Sequence, residues 1–77
     1  MKEALELIIT NLVSEPSEVS INEQDGEKEI IFQVKVKETD MGKVIGKEGR
    51  IAKAIRTIFK AVGATDKKRV TIEFIDK

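Results

Sequence analysis

Apolar residues in this chain recur first at a helical period, then alternate, then repeat both patterns in turn. Between Lys2 and Val13, Leu5, Ile8, Ile9 and Leu12 fall at i, i+3, i+4 and i+7, which sets them on one face of a helix. Leu7 lies off that stripe and Val13 at its margin; each is a candidate partner contact or an ordinary exposed apolar residue. Pro16 disfavours helical geometry at Glu15, so the helix should stop near Ser14. Val19 to Glu23 reads as a short strand. Gln24-Asp25-Gly26-Glu27 reads as a tight turn, because Asp and Gly suit positive backbone angles. Lys28 to Lys37 is the clearest strand: Ile30, Phe32, Val34 and Val36 alternate with Ile31, Gln33, Lys35 and Lys37. The first set should bury against helices and the second should form a solvated sheet face.

Past this strand, Thr39 or Asp40 is suited to cap a short helix reaching about Ile45, and Gly42 keeps that helix stubby. Gly46 to Gly49 breaks the period. From Arg50 to Val62 it resumes, with Ile51, Ile55, Ile58, Phe59 and Val62 on one stripe beside Ala52 and Ala54. Gly63 is placed to end that helix. Ala64 to Lys68 is a polar link. Arg69 to Ile75 is a last strand, with Val70, Ile72 and Phe74 on one face and Thr71, Glu73 and Ile75 on the other. The order is helix, strand, strand, helix, helix, strand. It predicts a two-layer α+β domain with helices gathered on one sheet face. The two-helix link between the second and third strands is long enough for a parallel crossover, so the three-stranded sheet should be mixed.

At 77 residues the chain allows one small domain, 1–77. It has no cysteine and no histidine, which removes disulfides, thiolate metal sites, the commonest metal ligand and the commonest catalytic base. Carboxylate pairs without a positioned base or a deep cleft make no enzyme, and neither a cofactor nor a metal is expected. No apolar run approaches membrane-spanning length and the first residues lack a signal-peptide pattern, so a cytoplasmic protein without membrane insertion is expected. The formal charge is zero, but it is divided. Up to Asp40 four Lys face ten acids, and from Met41 onward ten Lys and Arg face four acids. Such a division can form one basic face on a neutral protein and focus a polyanion there.

The basic half begins at Gly46-Lys47-Glu48-Gly49. Two glycines three apart let the backbone turn sharply and keep the ends of the loop free of large side chains. A phosphate backbone can then approach the amide donors that open the next helix, with Lys47 and Arg50 beside it. Alone, Gly-x-x-Gly is a weak signal. It is not a Walker loop, because Gly-Lys-Ser/Thr does not follow, and not a dinucleotide loop, because no strand leads directly into it.

Its surroundings sharpen it. Val44-Ile45-Gly46-Lys47-Glu48-Gly49-Arg50-Ile51 between two helices resembles the hallmark of the KH domain, a single-stranded nucleic-acid binding module that clamps the backbone with this loop. The element order is similar to that of the second, bacterial type of KH fold. The lead-in Asp40-Met41-Gly42-Lys43 and the run Ile51-Ala52-Lys53-Ala54-Ile55-Arg56 resemble the bacterial single-KH family KhpA, over essentially the whole chain. The resemblance implies a clamp made of Gly46, Lys47, Glu48 and Gly49. It also implies a groove for bases lined by Val44, Ile45, Ile51, Ile55 and parts of the second strand. Glu48 departs from the commoner polar and basic choice and puts a carboxylate near the expected phosphates. The family further implies an RNA chaperone or post-transcriptional regulator, pairing with a larger multidomain KH protein or with itself, and ties to cell shape and cell wall biogenesis.

Lys53, Arg56 and Lys60 share the helix side away from the apolar stripe. They are either a solvated face or, with Lys43, Lys47 and Arg50, a path that steers RNA phosphates to the loop. Lys67-Lys68-Arg69 is expected to end in solvent. Phe32, Phe59 and Phe74 sit on apolar stripes and read as core, and the lack of Trp and Tyr argues against an aromatic stacking surface. Two functions stay open: a sequence-tolerant single-stranded RNA binder of about micromolar affinity, and a dimerising protein-interaction module whose spare apolar residues meet a partner.

Overall fold

Three strands and three α-helices follow one another in the expected order in the computed structural model, which describes residues 1–75. Helix α1 spans Lys2–Leu12, strands β1 and β2 span Ser20–Asp25 and Glu29–Lys35, helix α2 spans Met41–Ile45, helix α3 spans Arg50–Thr65 and strand β3 spans Arg69–Ile75. The sheet order is β1-β2-β3. β1 runs antiparallel to β2, with Ile21 opposite Val34, and β2 runs parallel to β3, with Phe32 opposite Ile72. The sheet is therefore mixed, with the parallel step carried over by α2 and α3, and the fold is the second type of KH arrangement.

The alternation in β2 decides which sheet face is covered. Ile30, Phe32, Val34 and the following Val36 are all buried, together with Leu5 and Ile9 of α1, Val44 of α2, Ala52, Ile55 and Phe59 of α3, and Ile72 of β3. Each large apolar side chain taken out of water here stabilises the fold by about 1.5–3 kcal/mol. The opposite face carries a polar row. Asn22 donates to Gln33 at 3.1 Å and Gln33 donates to Glu73 at 3.3 Å, across three paired positions.

Several local expectations change. β1 starts one residue later and ends two residues later than Val19–Glu23, so Gln24 and Asp25 belong to the strand. The hairpin closes with the Gly26 amide on Glu29 O at 2.7 Å, and positive angles among the described glycines occur only at Gly46 and Gly49. Gly26 is instead suited to close approach, since a Cβ there would lie 3.0 Å from Glu29 O.

Gly63 does not end α3. It is buried inside the helix, where a Cβ would strike Val70 and come within 2.9 Å of Lys68 O. It lets α3 lie close on the entry to β3, and the helix continues to Thr65. The apolar stripe of α3 is also narrower than its sequence suggests. Ala52, Ile55, Phe59 and Gly63 face the sheet, whereas Ile58 and Val62 are 52% and 44% exposed.

Asp40 occupies the N-cap position of α2, yet its side chain makes no capping bond. Its carboxylate, almost fully buried, accepts the Glu15 amide at 3.0 Å and lies 3.6 Å from the Lys43 ammonium, which also donates to Ser14 Oγ. Burial opposes the charge on Asp40. The Ser14 and Glu15 amides, Lys43 and the Ser14 hydroxyl outweigh it and hold the carboxyl below its ordinary range. This residue ties the segment after α1 to the start of α2.

Candidate nucleic-acid interface

Val44, fully buried, anchors the end of α2 against the core. The next residues must leave the helix without unfolding it. Gly46 does this at φ 79°, ψ 173°, while its amide closes onto Gly42 O at 2.9 Å. Lys47–Gly49 form one tight turn, with the Gly49 amide on Gly46 O at 3.1 Å and the Arg50 amide on Lys47 O. Glu48 at φ 58° and Gly49 at φ 74° are both left-handed, and α3 starts at Arg50.

The two glycines serve different ends. A Cβ on Gly46 would sit 2.6 Å from Ile51 Cγ1 and 2.9 Å from the Ile51 amide nitrogen, so Gly46 lets the loop lie directly on the first turn of α3. A Cβ on Gly49 would meet nothing within 4 Å. Gly49 supplies the left-handed turn and leaves open space above the loop. The Gly49 and Arg50 amides, which open α3, are thus taken up by Gly46 O and Lys47 O instead of standing free as the sequence suggests.

Charged groups surround that space unevenly. Lys47 is exposed, and its ammonium has no partner among the described residues. Arg50 Nη2 lies 3.5 Å from Glu48 Oε2, with both side chains largely in solvent. Lys43 is instead engaged by Ser14 and Asp40.

One flank of α3 continues the basic surface. Lys53, Arg56, Thr57 and Lys60 face β3 across an open groove of about 530 Å³, whose other wall is Arg69 to Ile72. β3 is an edge strand, and the Arg69 amide is spent on Lys28 O. By alternation the Ile72 carbonyl points outward, into the groove. Arg56 Nε donates to it at 3.1 Å, and the guanidinium lies 5.2 Å from the centre of the Phe74 ring. Arg56 therefore secures the groove wall and covers an open strand edge, whereas the Lys53 and Lys60 ammoniums are free of partners among the described residues.

The expected groove residues divide accordingly. Val44 and Ile55 are core, with at most 3% exposed, and do not present themselves to a ligand. Ile45 and Ile51 are half-buried beside the loop and offer aliphatic surface. β2 is the central strand, and its helix-facing residues are covered; the strand that borders the groove is β3. Of the run 67–69, Lys68 bonds Asp25 at 2.8 Å. That hydrogen bond, helped by the Asp25, Asp66 and Glu23 charges and opposed by burial, raises its pKa. Arg69, expected in solvent, is exposed and also lines the groove. Its place follows from the parallel register of β3, which residue types alone do not reveal.

Among the described residues no group of three His, Cys, Asp or Glu is gathered as a metal requires, and no helix is long and apolar enough to cross a membrane.

Comparison with known proteins gives a consistent result. The family model described as KhpA/KhpB, KH domain, matches residues 2–74. The chain is 55% identical over 75 residues to the RNA-binding protein KhpA of Clostridium acetobutylicum and 53% identical over 75 residues to that of Clostridium perfringens, in both cases across 97% of this chain and 100% of the relative. To the RNA-binding protein KhpA of Chlamydia pneumoniae it is 47% identical over 77 residues, covering 100% of this chain and 99% of the relative. No solved structure matches the chain.

Proposed function

Because this chain belongs to the KhpA/KhpB KH-domain family, we propose that it binds single-stranded RNA with the loop Gly46-Lys47-Glu48-Gly49 as the backbone clamp. It is a binding module, not an enzyme. The observation that carries this reading is the open left-handed turn at Gly49, with cations on both sides. Apart from its chain neighbours Glu48 and Arg50, nothing stands within 4 Å of the position a Gly49 Cβ would take, which gives a phosphodiester room to approach. Lys47 and Arg50 neutralise it, and Lys53 and Lys60 receive the following phosphates along α3. Bases rest on Ile45 and Ile51 and against the β3 wall held by Arg56. With contacts mainly to phosphates, the binding is tolerant of sequence. This suits an RNA chaperone or post-transcriptional regulator in the cytoplasm.

Labelled single-stranded RNA titrated at several salt concentrations tests the reading. Three neutralised phosphates give a slope of log affinity against log salt of about −2. A slope near zero contradicts a phosphate clamp.

A second reading, pairing with a copy of itself or a larger KH protein, is favoured by the exposure of Ile58 and Val62. At 100° per residue Ile58 lies about 200° round the helix from Arg56. The apolar flank of α3 thus points away from the basic groove, and pairing through it leaves the groove open. Sedimentation of the wild type and Ile58→Asp at tens of micromolar checks this. A dimer lost in the variant supports it, and a monomeric wild type removes self-pairing.

A further inference from the structure

Glu48 takes a left-handed backbone conformation that glycine or asparagine adopts more cheaply. Folding gives nothing in return: its side chain is 68% exposed, and its one polar partner among the described residues is Arg50. A strained residue that the core does not need points to the ligand side of the loop. We propose that Glu48 is an internal competitor of the bound phosphate, occupying Arg50 when the clamp is empty and giving it up when a phosphodiester arrives. This rests on the RNA reading above and concerns how tightly the same site grips.

The chemistry is an exchange of anions on one guanidinium. Arg50 presents a fork that suits either a carboxylate or a phosphate. The carboxylate of Glu48 already sits 3.5 Å from Arg50 Nη2, at the mouth of the loop. An arriving phosphate must displace it, and the displaced carboxylate stays nearby as a like charge. Lys47 has no such partner among the described residues and meets the phosphate first. The grip is weakened and release is hastened, without altering the shape of the loop.

The test compares wild type, Glu48→Gln, Arg50→Gln and the double variant, each titrated with single-stranded RNA over a range of salt. Gln keeps the size and backbone demands of Glu, so the fold is held constant; thermal melts verify this. Glu48→Gln is expected to bind about two- to five-fold tighter at low salt, as suits an exposed charge pair. Its salt slope should steepen by up to about 0.7, as Arg50 engages the phosphate fully. In the Arg50→Gln background the gain should vanish. Wild-type affinity and slope in Glu48→Gln overturn the competitor, as does a gain that persists undiminished without Arg50. If neither wild type nor Glu48→Gln binds RNA with a salt slope, the clamp itself is wrong. If wild type binds and Glu48→Gln only matches it, the clamp stands and the competitor alone falls.

Discussion

Replacing Gly49 with Asp should abolish most RNA binding while leaving the protein folded, and replacing Gly46 with Asp should not separate the two effects. At Gly49 the substitution has two consequences. The left-handed φ of 74° costs a non-glycine residue about 1 kcal/mol. In a domain of this size that lowers the melting temperature by about 4–8 °C. Nothing lies within 4 Å of the added Cβ, so no packing term follows. The new carboxylate then stands where the phosphate approaches. At a separation of roughly 5 Å, two like charges repel by about 0.8 kcal/mol in bulk water and about 3 kcal/mol at the effective dielectric of a protein surface. The expected loss of affinity is therefore about 4- to 140-fold. At Gly46 the added Cβ would sit 2.6 Å from Ile51 Cγ1 and 2.9 Å from the Ile51 amide nitrogen, which belongs to the backbone. The first turn of α3 must shift, so stability falls together with binding. The assay is a thermal melt paired with RNA titration for each variant. A folded Gly49→Asp that binds RNA as the wild type does refutes the clamp geometry.

Gly63→Ala should destabilise by about 1–2 kcal/mol, since overpacking against Val70 and Lys68 O outweighs the helix propensity gained. The penalty should shrink in a Val70→Ala background when measured by urea unfolding, whereas a helix-ending role for Gly63 makes it independent of Val70. The carboxyl of Asp40 is held below its ordinary range, so the stability it contributes is present above about pH 4 and is lost as pH falls through the lowered value. Asp40→Asn should lower the urea midpoint at pH 7, with the gap closing as pH falls through the lowered range of the carboxyl; a gap that persists unchanged in acid removes Asp40 as its source. Arg56→Met should keep the wild-type salt slope of RNA binding, whereas Lys60→Met should reduce it by about 0.7; equal reductions make Arg56 a phosphate contact rather than the holder of the β3 edge.

The strongest periodic signals carried most of the architecture. In β2, alternate residues meet core and solvent, so Ile30, Phe32 and Val34 declare their face directly. The helical stripe of α3 located its core side but overstated its width, because a 3.6-residue period does not say how far a neighbour wraps round. Only packing decides that Phe59 is covered while Ile58 beside it is not. The glycine loop was legible as a place, but the division of labour within it was not. Gly46 and Gly49 look equivalent until Ile51 is seen against one and open space above the other.

Charged residues were the least legible, because their fates depend on partners far away in sequence. Lys43 is taken up by Ser14 and Asp40, and Arg56 by the Ile72 carbonyl, which faces the groove only because β3 forms the sheet edge. Arg69 joins the groove for the same topological reason. A helical wheel places Lys53, Arg56 and Lys60 together, but it cannot distinguish the tethered guanidinium from the two ammoniums that have no partner among the described residues.

The most direct test of the clamp is the pattern of backbone amide shifts in an isotope-labelled sample as single-stranded RNA is added. The account predicts that the largest changes fall at Gly46 to Ile51, with a second set on the groove side of α3 between Lys53 and Lys60. Changes confined to the polar sheet face around Asn22, Gln33 and Glu73, with the loop silent, would contradict it.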